Sequence, residues 1–271
     1  MGALLLPVGN KPPQHESGHW YTRDGLPAYQ QRTQKGGLRA TDLRDARKKG
    51  LVPSVTTVLG VIAKQALEKW KREQCVYAAL TLTRQDDETD AQFFARIEAD
   101  AGAQAKAAAE EGTRIHDACE SLFRGLPVPE QYRPHAEAVM AKVHEMFPGI
   151  TDWTAEASFA HESGYGGKVD LHSPSTGIVI DYKGKDGDFT DGKKLAYDQH
   201  LQLGGYSQGL ILPRAPGANI FFSRTHPGLV ASHVWKESDI AAGIRTFNSA
   251  LQLWKDLKDF DPAWKAQQAV V

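Results

Sequence analysis

Cysteine is scarce in this 271-residue chain: Cys75 and Cys119 are the only two. That excludes a disulfide framework, a cysteine-built zinc site and a four-cysteine iron–sulfur cluster. No apolar run approaches the ~18–20 residues that a membrane span needs. The apolar opening at residues 2–8 is short and lacks a basic start, so a secretory leader is not expected. Net charge is also missing, since 32 Lys and Arg against 33 Asp and Glu leave −1. Such balance argues against unspecific coating of nucleic acid but says nothing about a local basic groove. Internal repeats and low-complexity tracts are absent as well. What remains is a globular composition, 41% hydrophobic and 24% charged, at a length that suits one large domain or two small ones. A reducing cytoplasm is the expected setting.

Residues 1–52 are turn-rich and turn basic toward their end (Arg39, Arg44, Arg47, Lys48, Lys49), which reads as a lead-in with one short hairpin around residues 20–29. From residue 53 the pattern becomes helical, with Ser54 or Thr56 as the N-cap. Helices are predicted at about 57–81, 90–123 and 130–146, the last stopped by Pro148 and Gly149. Three short strands then follow, at about 153–160, 167–173 and 177–183. A helix at about 195–212, strands at about 219–225 and 229–235, and an amphipathic helix at about 237–258 complete the order. This is a mixed α/β domain over residues 53–271, with a helical part at 53–148 and a core at 149–258.

The middle strands carry the chemistry. If residues 174–177 form a four-residue hairpin loop, opposed residues have numbers that sum to 351. Asp170 then faces Asp181, and Lys168 faces Lys183. Alternation places Val169, Leu171, Ile178, Ile180 and Tyr182 on one face, and Lys168, Asp170, His172, Asp181 and Lys183 on the other. Only Val179 breaks the sorting. Opposed carboxylates about 5 Å apart at Cα repel, so a compensating charge is expected. A divalent cation with hard oxygen ligands, Mg²⁺ or Mn²⁺, would supply it, leaving Lys183 to orient a water or stabilise a pentavalent phosphate. Asp-x-Lys alone is a weak pattern: it recurs at Asp191–Lys193 and Asp256–Lys258, and in isolation it is usually a surface ion pair. Only Asp181 follows a buried-strand pattern with a second Asp opposite.

Several motifs now fall in order: Gly112-x-x-x-His116 on a helix, Glu156 on a strand, Gly166-Gly167-x-x-Asp170, Asp181-Tyr182-Lys183, and Gln202-x-x-x-Tyr206 on the next helix. Together they resemble the PD-(D/E)xK nuclease superfamily in its RecB-like exonuclease branch. The lead-in residues 53–59, with Lys69-Trp70 after them, are similar to phage and mitochondrial genome-maintenance exonucleases of that branch. The resemblance implies a restriction-endonuclease-like core, a mixed central sheet flanked by helices with a helical N-terminal region. It implies one or two Mg²⁺ or Mn²⁺ ions held by His116, Asp170, Asp181 and the Tyr182 carbonyl. It also implies Lys183 as the catalytic lysine, Glu156 supporting the metal site or its water, and Gln202 and Tyr206 lining the site against the DNA backbone or ordering Lys183. His172 is an alternative ligand to His116. Tyr206 as core packing and Glu156 as an outward edge-strand residue are the structural alternatives. Gly184 departs from the polar residue that many relatives carry after the lysine, and no helicase motif is present.

The activity so implied is metal-dependent hydrolysis of DNA phosphodiesters by an exonuclease of phage or bacterial recombination and repair, beside a single-strand annealing protein. An endonuclease or flap nuclease on the same fold is the alternative, and a non-catalytic DNA-binding scaffold a third reading. Candidate DNA contacts are the basic residues within 39–49, Ser54 and Thr56 at a helix start, and Lys168, Lys185, Lys193 and Lys194. Trp20, Tyr21, Trp70 and Tyr165 are candidates to stack on unpaired bases.

Overall fold

The lead-in is more ordered than its turn-rich sequence suggests. The computed structural model describes residues 19–63, 65–190 and 194–264; Lys193 and the Asp191–Lys193 motif lie outside them. β1 (Trp20–Tyr21) pairs with β4 (Val52–Pro53), and β2 (Gln30–Arg32) pairs with β3 (Leu38–Ala40). Between them α1 (Leu43–Lys49) starts at a reciprocal cap in which Asp42 and Asp45 each accept the other's backbone N–H. Trp20, Ala46 and Leu51 from this lead-in are buried in the same cluster as the central sheet.

The helix expected over 57–81 is interrupted. It is α2 (Val55–Val58), a 3₁₀ turn (Leu59–Val61) and then α3 (Gln65–Thr81). The β-branched run Val55-Thr56-Thr57-Val58, followed by Gly60, is a poor helix former, which accounts for the early stop. α4 (Asp90–Phe123) matches its expected bounds, helped by a capping box between Thr89 and Gln92. α5 (Arg133–Met146) follows a 3₁₀ turn (Glu130–Tyr132) and carries Pro134 in its first turn, where a missing N–H costs nothing. No helix among the described residues is long and apolar enough to cross a membrane.

The centre is a five-stranded mixed sheet in the order β5 (Thr154–His161), β6 (Tyr165–His172), β7 (Val179–Lys185), β8 (Gly217–Ser223), β9 (Val230–Trp235). Only β7 and β8 are parallel, and α6 (His200–Gly209) lies in the crossover between them. α7 (Glu237–Lys258) is the last helix among the described residues.

Helices cover both faces. α6 and α7 pack with Val179, Phe221 and Trp235 on one side, and α4 and α5 with Leu171, Ile180, Ile220 and Phe222 on the other. Burial on both faces explains why β8 reads as an almost unbroken apolar run, and why Val179 breaks the single-face sorting: it belongs to the second core. The arrangement is the mixed central sheet flanked by helices expected from the sequence.

α6 and α7 approach closely. A Cβ on Gly204 would stand 2.5 Å from the Ile244 backbone nitrogen, and a backbone atom cannot swing aside. Gly204→Ala should therefore cost about 1–3 kcal/mol through overpacking, read as a lower urea midpoint at unchanged slope. A wild-type midpoint would contradict this packing.

Candidate active site

The β6–β7 hairpin is set from its closed end. Ser173 N–H donates to the Ile178 carbonyl at 2.9 Å, and Asp152 accepts from Ser173 Oγ at 2.6 Å and Ser175 N at 2.8 Å. Those bonds pull the Asp152 carboxyl down to about 2. His172 pairs with Val179 and Leu171 with Ile180, which is the register expected from the sequence. The ladder ends there. Continued alternation would bond Val169 with Tyr182, but the Tyr182 N–H donates instead to Asp170 Oδ2 at 2.7 Å.

β5 departs at the same level. It pairs Ala155 with Leu171 and Ala157 with Val169, skipping the Glu156–Asp170 position. Glu156 there has φ 58°, the left-handed region that non-glycine residues rarely adopt. The face assignment made from alternation needs a correction as a result. Val169 packs with Tyr165 on the α6–α7 side, while Leu171 lies on the opposite side. Strict alternation fails at the level where the β6–β7 ladder stops and β5 skips a pair.

Asp181 is the hub. Its side chain is 3% exposed and Lys183 Nζ sits 2.8 Å from Oδ2. The same Nζ donates to Oδ1 at 2.9 Å and to Gln202 Oε1 at 3.1 Å. Gln202 Nε2 in turn donates to Asp181 Oδ1 at 2.9 Å and meets the Tyr206 hydroxyl at 2.8 Å. Gln202 and Tyr206 are one helical turn apart on α6, so one face delivers both. Gly167 makes room for them, since a Cβ there would stand 3.0 Å from the Tyr206 ring. Asn219, directly across the β7–β8 ladder, donates to Asp181 Oδ2 at 2.8 Å. Burial, aided by Asp170, raises the Asp181 carboxyl above its ordinary value against the pull of Lys183. Burial would lower the Lys183 ammonium, but Asp181 and Asp170 outweigh it and raise it.

Asp170 is served from the other helical layer. His116 Nδ1 lies 3.4 Å from Asp170 Oδ2. α4 points it there because Ile115, Ala118 and Cys119 on the same helix are buried against the sheet. Burial opposes the charged form of Asp170, yet His116 and Lys183 carry it below its ordinary value. Glu156 pairs with Lys168, and burial nevertheless raises its carboxyl. His172, the alternative ligand, sits beside Thr154 and Asp152 at the closed end of the hairpin, away from Asp170 and Asp181.

The peripheral candidates divide. Ser54 is buried and caps α2 by accepting the Thr57 N–H, with Thr56 exposed beside it, and Ser54 bridges Gly166 of β6. Lys168 is bound to Glu156, and Lys185 is lowered by burial and by Arg224. Arg39 is tied to Asp45, Arg47 to the Lys258 carbonyl, Lys49 to Gln31, and Lys194 lies over the Tyr197 ring. The stacking candidates Trp20, Tyr21 and Tyr165 are core residues, each at most 2% exposed; Trp70 on α3 is 37% exposed. Sequence reasoning passed over Asn219 and Trp235. A buried Asn inside an apolar strand was the available signal.

Two hard-oxygen carboxylates and an imidazole fit a divalent cation in their chemistry, and Asp170 Oδ1 accepts no hydrogen bond among the described residues. A finished cage is not there: among the described residues no three His, Cys, Asp or Glu side chains form a metal-holding group. Lys183, Gln202 and Asn219 occupy Asp181 instead.

No family model and no curated protein matches the chain. Solved structures similar to it include a phage-related exonuclease from Haemophilus somnus 129PT, at 13% identity and TM-score 0.30, covering 68% of this chain and 93% of that one. An alkaline exonuclease from Laribacter hongkongensis is 12% identical at TM-score 0.27, covering 71% and 98%. SSO0001 is 14% identical at TM-score 0.28, covering 69% and 86%.

His116 is raised above 6.5 by Asp170 against the effect of burial. The stability it contributes is complete below pH 6.5 and is lost as pH rises through the raised value. In EDTA, wild type should therefore lose more melting temperature than His116→Asn as pH rises above 6.5. Equal losses would contradict the pairing.

Proposed function

We propose that the protein is a metal-dependent deoxyribonuclease, an exonuclease that trims DNA ends in phage or bacterial recombination and repair beside a single-strand annealing protein. The observation that supports this most is the buried Asp181, with Lys183 poised on it and the partly buried Asp170 beside it on the neighbouring strand. Asp170, Asp181, His116 and the Tyr182 carbonyl would hold Mg²⁺ or Mn²⁺. The bound cation would activate a water and neutralise the scissile phosphate.

In this reading Lys183 directs an ammonium at the attacking water and at the charge that develops on phosphate. Gln202 keeps Lys183 aimed by accepting from it while donating to Asp181, and Tyr206 fixes Gln202. Glu156 holds Lys168 at the rim, where it meets the DNA backbone with Lys185 and the exposed Thr56, while the buried Ser54 caps the helix that presents Thr56. Phosphate contacts of this kind make binding fall steeply with salt.

Lys183→Ala should bind Mn²⁺ about as wild type does and lose about 10²–10³-fold in rate; a wild-type rate would refute its role. End-labelled linear DNA and a matched closed circle, incubated with Mg²⁺ or EDTA, test the activity itself. Metal-dependent digestion of linear DNA alone, abolished in Asp181→Ala, is expected. Cutting of the circle would make the protein an endonuclease. Binding without any cleavage would make it a scaffold.

A further inference from the structure

Behind Asp181 lies a second buried polar chain that the nuclease chemistry does not use directly. Asn219 is fully buried in β8, and its Nδ2 donates to Asp181 Oδ2 at 2.8 Å and to the Asp181 carbonyl at 3.2 Å. Its Oδ1 accepts from Trp235 Nε1 at 2.8 Å. The indole is gripped in turn by His200 and His233, whose ring centroids lie 4.8 Å and 4.3 Å from its own.

The chemistry of the two partners settles which way the amide points. An indole N–H can only donate and a carboxylate can only accept. Only a group that offers one acceptor and one donor satisfies both, and it does so in a single orientation. Asp at this position would set a carboxylate against Asp181, and an apolar residue would leave the indole N–H unpaired in the core.

We propose that Asn219 and Trp235 are positioning residues, which fix the plane of the Asp181 carboxylate that a divalent ion and Lys183 share. This rests on the nuclease reading above. Lys183 and Gln202 both reach Asp181 from side chains that are not fully buried, whereas Asn219 and Trp235 hold it from within the core. The pair therefore sets the direction in which the carboxylate faces before any ligand arrives.

Trp235→Phe tests this by removing the N–H while keeping a buried ring. Trp20→Phe is the control: Trp20 lies in the same core cluster, and its buried Nε1 has no hydrogen-bond partner. Mn²⁺ binding by calorimetry should weaken roughly tenfold in Trp235→Phe and stay at the wild-type value in Trp20→Phe. On DNA, kcat should fall by a similar factor with KM unchanged. Asn219→Ser, which spares the indole and removes the amide, should reproduce both effects if Trp235→Phe fails to fold. Folded variants that bind Mn²⁺ like wild type would overturn the inference and leave the nuclease reading intact. Wild type and Asp181→Ala alike failing to bind Mn²⁺ would overturn that reading, and this inference with it.

Discussion

Two carboxylates on neighbouring strands, Asp170 and Asp181, set just where the β6–β7 ladder stops, are the constraint to which the rest of the site responds. Asp170 and Asp181 repel, and both are removed from water, so the fold must supply positive charge and hydrogen-bond donors to each. It does so from opposite sides of the sheet. His116 on α4 and the Tyr182 N–H serve Asp170, while Lys183, Gln202 on α6 and Asn219 on β8 serve Asp181. The interruption of the β6–β7 ladder and the left-handed Glu156 opposite Asp170 both sit at this level of the sheet. Backbone regularity is given up where the charges meet.

The three-layer architecture is what makes the two-sided supply work. A sheet with one open face could not bring α4 and α6 to neighbouring carboxylates from opposite directions. The close approach of α6 to α7 at Gly204 holds Gln202 and Tyr206 in register with β7. The parallel β7–β8 pairing places Asn219 directly beside Asp181. Lys183 then plays two parts. Without a cation it is the cationic partner that counters part of the burial of Asp181; in the proposed reaction it acts on water and phosphate.

Much of this was legible in the sequence, for identifiable reasons. The four-residue loop and the apolar alternation around it pointed to the register in which Leu171 pairs with Ile180 and His172 with Val179. Helical patterning over 90–123 and 237–258 located α4 and α7 at their observed bounds. What failed was long-range. Alternation has no means of showing that Asp170 takes the Tyr182 N–H or that Val169 and Leu171 enter different cores. The aromatic residues Trp20, Tyr21 and Tyr165 look alike as stacking surfaces or core, and only the packing of the lead-in onto the sheet decides for core. Asn219 stood in plain view inside an apolar strand, yet its two partners, Asp181 and Trp235, come from different strands.

In the proposed function Asp170 and Asp181 hold a divalent cation, which takes over from Lys183 as counter-charge. Anomalous scattering from crystals grown with Mn²⁺ tests it most directly. A peak between the two carboxylates, with Lys183 Nζ moved off Asp181, is the predicted result. No peak there, with Lys183 still bonded to both Asp181 oxygens, would contradict the account.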